Sequence, residues 1–82
     1  MPDVTILYFA QAQERCSCAT EILQLPEVLE LAALRDCLRQ RHPQLADLLP
    51  HCRFALDHSF VSGALTLRDG SELAVIPPVS GG

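Results

Sequence analysis

The chain has 82 residues, 49% of them hydrophobic and 20% charged, and ten acids against six arginines leave a net charge of -4 at pH 7. That length supports one core and leaves too little apolar material for a deep enclosed substrate pocket beside it. The acidic balance, with Arg15, Arg35, Arg39, Arg41, Arg53 and Arg68 scattered along the chain, argues against a nucleic-acid partner.

No apolar run approaches the roughly 18 residues of a membrane helix, and no basic segment followed by an apolar one opens the chain. The expectation is a cytoplasmic protein with no membrane partner, in which Cys16, Cys18, Cys37 and Cys52 are thiols. There is no lysine, so no side chain could accept an isopeptide bond from another copy; only the N-terminus remains.

Residues 3–10 read as a strand, rich in β-branched and aromatic residues and free of Gly and Pro. Val4, Ile6 and Tyr8 fall on one face and Leu7 and Phe9 on the other, so both faces are apolar. Residues 11–18 are polar and predict a helical turn or a loop. A second strand is expected over 20–25, where Ile22 and Leu23 sit among polar neighbours and Pro26 stops it.

Over 30–41 the period changes. Leu31, Leu34 and Leu38 recur at helical spacing with Cys37 beside them, facing the core, and Arg35, Asp36, Arg39 and Gln40 opposite. Pro43 ends this helix, and 44–49 reads as a short helical turn closed by Pro50. Residues 52–56 and 59–61 flank Asp57-His58 as a hairpin with a two-residue turn. The segment 65–67 is ambiguous, Asp69-Gly70 is a turn, and 72–76 is a last strand, with Leu73 and Val75 on one face and Ala74 and Ile76 on the other. A hairpin, a crossing helix and a returning strand predict an α+β fold, a mixed sheet wrapped around one main helix: the β-grasp, or ubiquitin-like, arrangement. The domain is expected over 1–77, with 78–82 as an extended, flexible Gly-Gly tail.

Pro77 and Pro78 lack amide donors, so strand pairing must stop there and the chain leaves extended. Gly81 and Gly82 carry no side chains, which lets the terminal carboxylate enter a narrow cleft of another enzyme. Adenylation there would turn a poor electrophile into an acyl-adenylate that sulfide or a thiol can attack. Gly-Gly alone ends about one chain in 200 by chance; a strand, two prolines and Val79 leading into it make the pattern more specific.

With these residues in place, the sequence resembles the small subunit of molybdopterin synthase, a ubiquitin-like sulfur carrier family. The resemblance spans nearly the whole chain. It rests on Leu7-Tyr8-Phe9-Ala10, Leu25-Pro26-Glu27, Arg41-His42-Pro43, Phe54-Ala55-Leu56-Asp57 and, most specifically, the closing stretch LRDGSELAVIPPVSGG at 67–82. It implies that a ubiquitin-activating-like adenylyltransferase adenylates Gly82 using ATP, with no cofactor bound by the chain itself. The terminus then becomes a thiocarboxylate and enters the large synthase subunit, in a heterotetramer, to donate sulfur to cyclic pyranopterin monophosphate. The chain would thus be part of a sulfurtransferase and not catalytic alone. The sequence departs from the family pattern after the first strand, where the family often has an arginine and this chain has Gln13 followed by Glu14 and Arg15, at Glu30 in place of a capping threonine, and at Asp57 in place of asparagine. A ubiquitin-like modifier, a carrier for tRNA thiolation and the thiamine-pathway carrier share the activated tail and are the alternatives.

Phe9, Phe60 and Ile76 are assigned by alternation to the sheet face away from the helix, where with Pro77 and Val79 they predict an apolar patch for partners. Pro78 and Ser80 complete the partner-binding set. Without its partner, such a patch invites a homodimer. Cys16, Cys18, His42, His51, Cys52 and His58 lie on separate elements without the paired spacing of a structural zinc site, so no metal is expected. His42 reads as a helix-end residue and not a base, because no nucleophile and supporting acid accompany it.

Overall fold

The computed structural model describes residues 1–78. The first strand, β1 (Asp3–Tyr8), alternates as read, with Val4, Ile6 and Tyr8 buried and Thr5 and Leu7 half-buried. It is two residues shorter than expected. Phe9 is the extended N-cap of a helix, α1 (Ala10–Cys16), and Ala10, at φ 49°, turns the chain out of the sheet. The stretch after β1 is therefore a helix, closed at Ser17 in the left-handed region (φ 53°).

Strand β2 (Thr20–Gln24) returns antiparallel to β1, with Asp3 opposite Gln24 and Leu7 opposite Thr20. Only Leu23 of its apolar pair is buried; Ile22 is 66% exposed. A short strand, β3 (Val28–Glu30), which no local pattern predicts, pairs with β6 (Ala64–Thr66), so most of the ambiguous segment 65–67 is strand. Helix α2 (Leu31–Arg41) follows directly and buries Leu31, Leu34 and Leu38. Its N-cap, Glu30, makes no side-chain capping bond; the Leu31 amide, the first of the helix, donates to the Gly63 carbonyl at 2.8 Å, so the loop before β6 satisfies one donor of the first turn. Cys37, expected to face the core, is only half-buried at its edge, one position off the leucine stripe.

His42 caps the C-terminus of α2, and two single 3-10 turns, Pro43–Leu45 and Leu49–His51, follow. Pro50 lies inside the second and does not close the segment. Strands β4 (Arg53–Leu56) and β5 (Ser59–Phe60) form the expected hairpin. Asp57 (φ 47°) and His58 (φ 73°) are both left-handed, as this tight turn requires, and Asp57 Oδ1 accepts from the Glu72 amide at 2.9 Å. The Asp69-Gly70 turn ties the start of β1 to the approach of the last strand: the Asp3 amide donates to Asp69 Oδ1 at 2.7 Å and the Gly70 amide to the Asp3 carbonyl at 3.0 Å.

The last strand, β7 (Glu72–Ile76), enters the middle of the sheet, parallel to β1 and antiparallel to β4, giving the order β2-β1-β7-β4-β5. Its inward residues Leu73 and Val75 meet Ile6 and Tyr8 in register, and α2 lays Leu34 and Leu38 over this layer. The result is the mixed sheet around one main helix, with α1 as a second, shorter one. Among the described residues no helix is long and apolar enough to cross a membrane.

Candidate functional site

The strands that seal the core with one face present apolar residues on the other. In register, Leu7 lies opposite Ala74, Ala74 opposite Ala55 and Ala55 opposite Phe60, so one row crosses four strands. The two alanines are too small to rise to the height of their neighbours. Between Leu7 and Phe60 they leave a groove of about 260 Å³, closed toward the end of β7 by Phe9 and Ile76 and toward its start by His58 and Glu72. Phe60 is 57% exposed and Phe9 46%. The Arg53 guanidinium stacks 3.8 Å above the centre of the Phe60 ring, which fixes that ring as one wall and sets a positive charge on the rim. His58 Nε2 and Glu72 Oε1, 4.0 Å apart, form the polar end.

The structure thus gathers Phe9, Phe60 and Ile76 as alternation predicted, although Phe9 arrives from the helix cap and not from the strand. Pro77 is buried and does not join the exposed surface; Pro78 is exposed. Because β7 lies between β1 and β4, Pro77 and Pro78 end hydrogen bonding on both sides at once. Val79, Ser80, Gly81 and Gly82 lie outside the described residues. Sequence reasoning missed Leu7, Ala55 and Ala74 as groove residues. Period-2 alternation already placed Leu7 and Ala74 on that face, but alanine gives no hydrophobic signal of its own.

A second constellation lies at the far edge of the helix layer. Glu21, on the core-facing side of β2, accepts from Tyr8 Oη at 2.5 Å and from Arg41 Nε at 2.6 Å, and its Oε2 pairs with His42 Nε2 at 2.6 Å. The Tyr8 and His42 rings meet edge to face with centres 5.4 Å apart. Burial pushes the Glu21 carboxyl up, but the bonds from Tyr8, His42 and Arg41 outweigh it and hold it at about 2. Burial and the neighbouring carboxylate both push the Tyr8 hydroxyl up. Every group here is bonded to another, so the cluster pins the end of α2 to β1 and β2, and His42 is the helix-end residue that was expected. All four cysteines are free; the Cys16 thiol donates to the Ala12 carbonyl at 3.0 Å and the Cys18 thiol to Thr20 at 3.0 Å.

A model of the ThiS family matches residues 6–82, from β1 through the terminal glycines. The chain belongs to the ThiS family. Within it, the chain is 37% identical over 82 aligned positions to the human molybdopterin synthase sulfur carrier subunit, covering 96% of this chain and 93% of that protein. It is 31% identical to the protein of the same name from Mycobacterium tuberculosis, with both chains fully covered. Among solved structures, SAMP1 from Haloferax volcanii superposes with a TM-score of 0.80 at 23% identity, over 98% of this chain and 99% of that one. Subunits 1 and 2 of the molybdopterin-converting factor from Helicobacter pylori form a solved complex, one chain of which matches with a TM-score of 0.71 at 23% identity, over 98% of this chain and 99% of that one. These likenesses show that this ThiS-family chain has the β-grasp fold.

Proposed function

We propose that this chain is the sulfur-carrier subunit of a molybdopterin synthase, with the carboxyl group of Gly82 as its reacting group. The observation that carries the reading is the central strand β7, flanked by an apolar groove and running toward a Gly-Gly end that the family match includes. The relatives named as sulfur carrier subunits of molybdopterin synthase support the pathway.

In this reading a ubiquitin-activating-like partner joins the Gly82 carboxylate to AMP from ATP and releases pyrophosphate. A sulfur nucleophile displaces AMP, leaving a terminal thiocarboxylate. The large synthase subunit receives the tail, the sulfur passes to cyclic pyranopterin monophosphate, and water restores the carboxylate. The chain contributes no acid or base to these steps; it addresses and positions the carbonyl carbon. The groove walled by Phe9, Phe60 and Ile76 docks the partner, Pro77 and Pro78 end the sheet, and 78–82 forms the tail, whose Val79, Ser80 and Gly81 pass through the partner's cleft. Two such chains and two large subunits would make the heterotetramer, in the cytoplasm, and the bare groove would pair two copies when the partner is absent. A lysine-free surface suits a carrier, because an activated terminus finds no side-chain amine on a neighbouring copy.

Reconstitution tests this. Thiocarboxylated chain, large subunit and cyclic pyranopterin monophosphate together should yield molybdopterin, and chain with an ordinary carboxylate should yield none. Product formation without the thiocarboxylate would overturn the reading.

A further inference from the structure

In the helix layer, on the side of the sheet away from the groove, α2, Ala46 and the second 3-10 turn border an open hollow of about 370 Å³, with the Asp36 carboxylate also on its lining. Ala46, Leu49 and Pro50 give it an apolar wall, and Arg35 and Arg39, one helical turn apart, bring two guanidinium groups to it. Arg35 is held in place: its guanidinium lies 5.1 Å from the centre of the Phe54 ring and donates to the Cys52 carbonyl at 3.5 Å. Its Nε is nevertheless buried without a hydrogen-bond partner among the described residues, a state that folded proteins seldom leave uncompensated. Arg39 donates to Asp36 at 2.9 Å, which occupies only part of its five-donor fork.

The hollow lies near the root of the tail. Arg53 pairs with Ile76, so one step further along the ladder Cys52, whose carbonyl Arg35 holds, comes beside Pro77. Four residues follow Pro78, a length that reaches at most about 14 Å, and they end in a carboxylate. A planar carboxylate matches a guanidinium fork in charge and shape.

We propose that the hollow at Arg35 and Arg39 is a resting site for the chain's own C-terminus, binding the Gly82 carboxylate between the two guanidinium groups with Val79 against the apolar wall. A thiocarboxylate carries the same charge and takes the same place, which holds the loaded end against the domain until a partner withdraws the tail. That extension rests on the sulfur-carrier reading; docking of the plain carboxylate does not.

The test uses the full chain with its ordinary carboxylate. Carboxypeptidase should release Gly82 about fivefold more slowly from the unaltered chain than from Arg39→Glu or Ala46→Glu, since paired exposed charges contribute no more than that. Both substitutions are at exposed positions, and Arg39→Lys should keep most of the protection. The Arg35 and Arg39 Nε–H resonances should shift when the terminus is converted to an amide. Equal release rates, or arginine resonances indifferent to amidation, would overturn the proposal. If docking is seen but the terminus is never loaded with sulfur, the carrier reading fails and the resting site stands.

Discussion

The two faces of one sheet differ in what covers them. Toward α2, Val4, Ile6, Leu73 and Val75 are at 0% exposure and Tyr8 at 1%. Facing the other way from the same strands, Leu7, Ala74 and Ile76 stay half-buried next to the exposed rings of Phe9 and Phe60. Strands that are apolar on both sides normally lie between two layers, and among the described residues only one of the two faces is covered by helices. The first face makes the fold; the second is the one the proposed function gives to a partner.

The comparison breaks most sharply at Leu34, which is fully buried where α2 meets the sheet. Leu34→Ala should lower the unfolding free energy by about 3 kcal/mol in urea titrations, since a sealed position cannot collapse around the cavity. On the other face, Phe60→Glu and Ile76→Glu should leave the urea midpoint nearly unchanged. They should weaken binding to the large synthase subunit by about 30-fold or more in calorimetry, as the loss of a central aromatic or aliphatic anchor does. Unchanged affinity would remove the groove from the account.

Glu21 sharpens the sealed side at its polar edge. Its carboxyl is held at about 2 against an ordinary 4.5. The folded pKa is depressed, so the contribution is fully present above about 4.5 and is lost as pH falls toward 2. Acid titration of stability should therefore be shallower over that interval in Glu21→Gln than in the unaltered chain, measured by circular dichroism. The smallest effect is expected at the groove's polar end. His58→Gly, at φ 73°, should gain roughly 0.5 kcal/mol because glycine adopts that conformation without strain.

Much of this was legible from local rules. Leu31, Leu34 and Leu38 gave α2 by their period, Asp57-His58 and Asp69-Gly70 gave the turns, and alternation gave both faces of β7. What escaped depends on distant parts of the chain. β3 and β6 are three residues each and exist because they pair with one another, 28–30 with 64–66. The Leu31 amide that opens α2 is satisfied by Gly63, and nothing near Glu30 announces it. The groove needed the register of four strands before two alanines became its floor. The cluster of Tyr8, Glu21, Arg41 and His42 joins three elements: Tyr8 and Arg41-His42 stood out in the sequence, but nothing there named Glu21 as the carboxylate they share.

The proposed role of Gly82 is tested most directly by intact-mass spectrometry of the chain co-produced with a ubiquitin-activating-like enzyme. The account predicts that the unaltered chain gains the mass difference between sulfur and oxygen, and that a chain lacking Gly82 gains nothing. An unaltered chain whose mass never changes, or a Gly82-deleted chain that becomes modified, would contradict it.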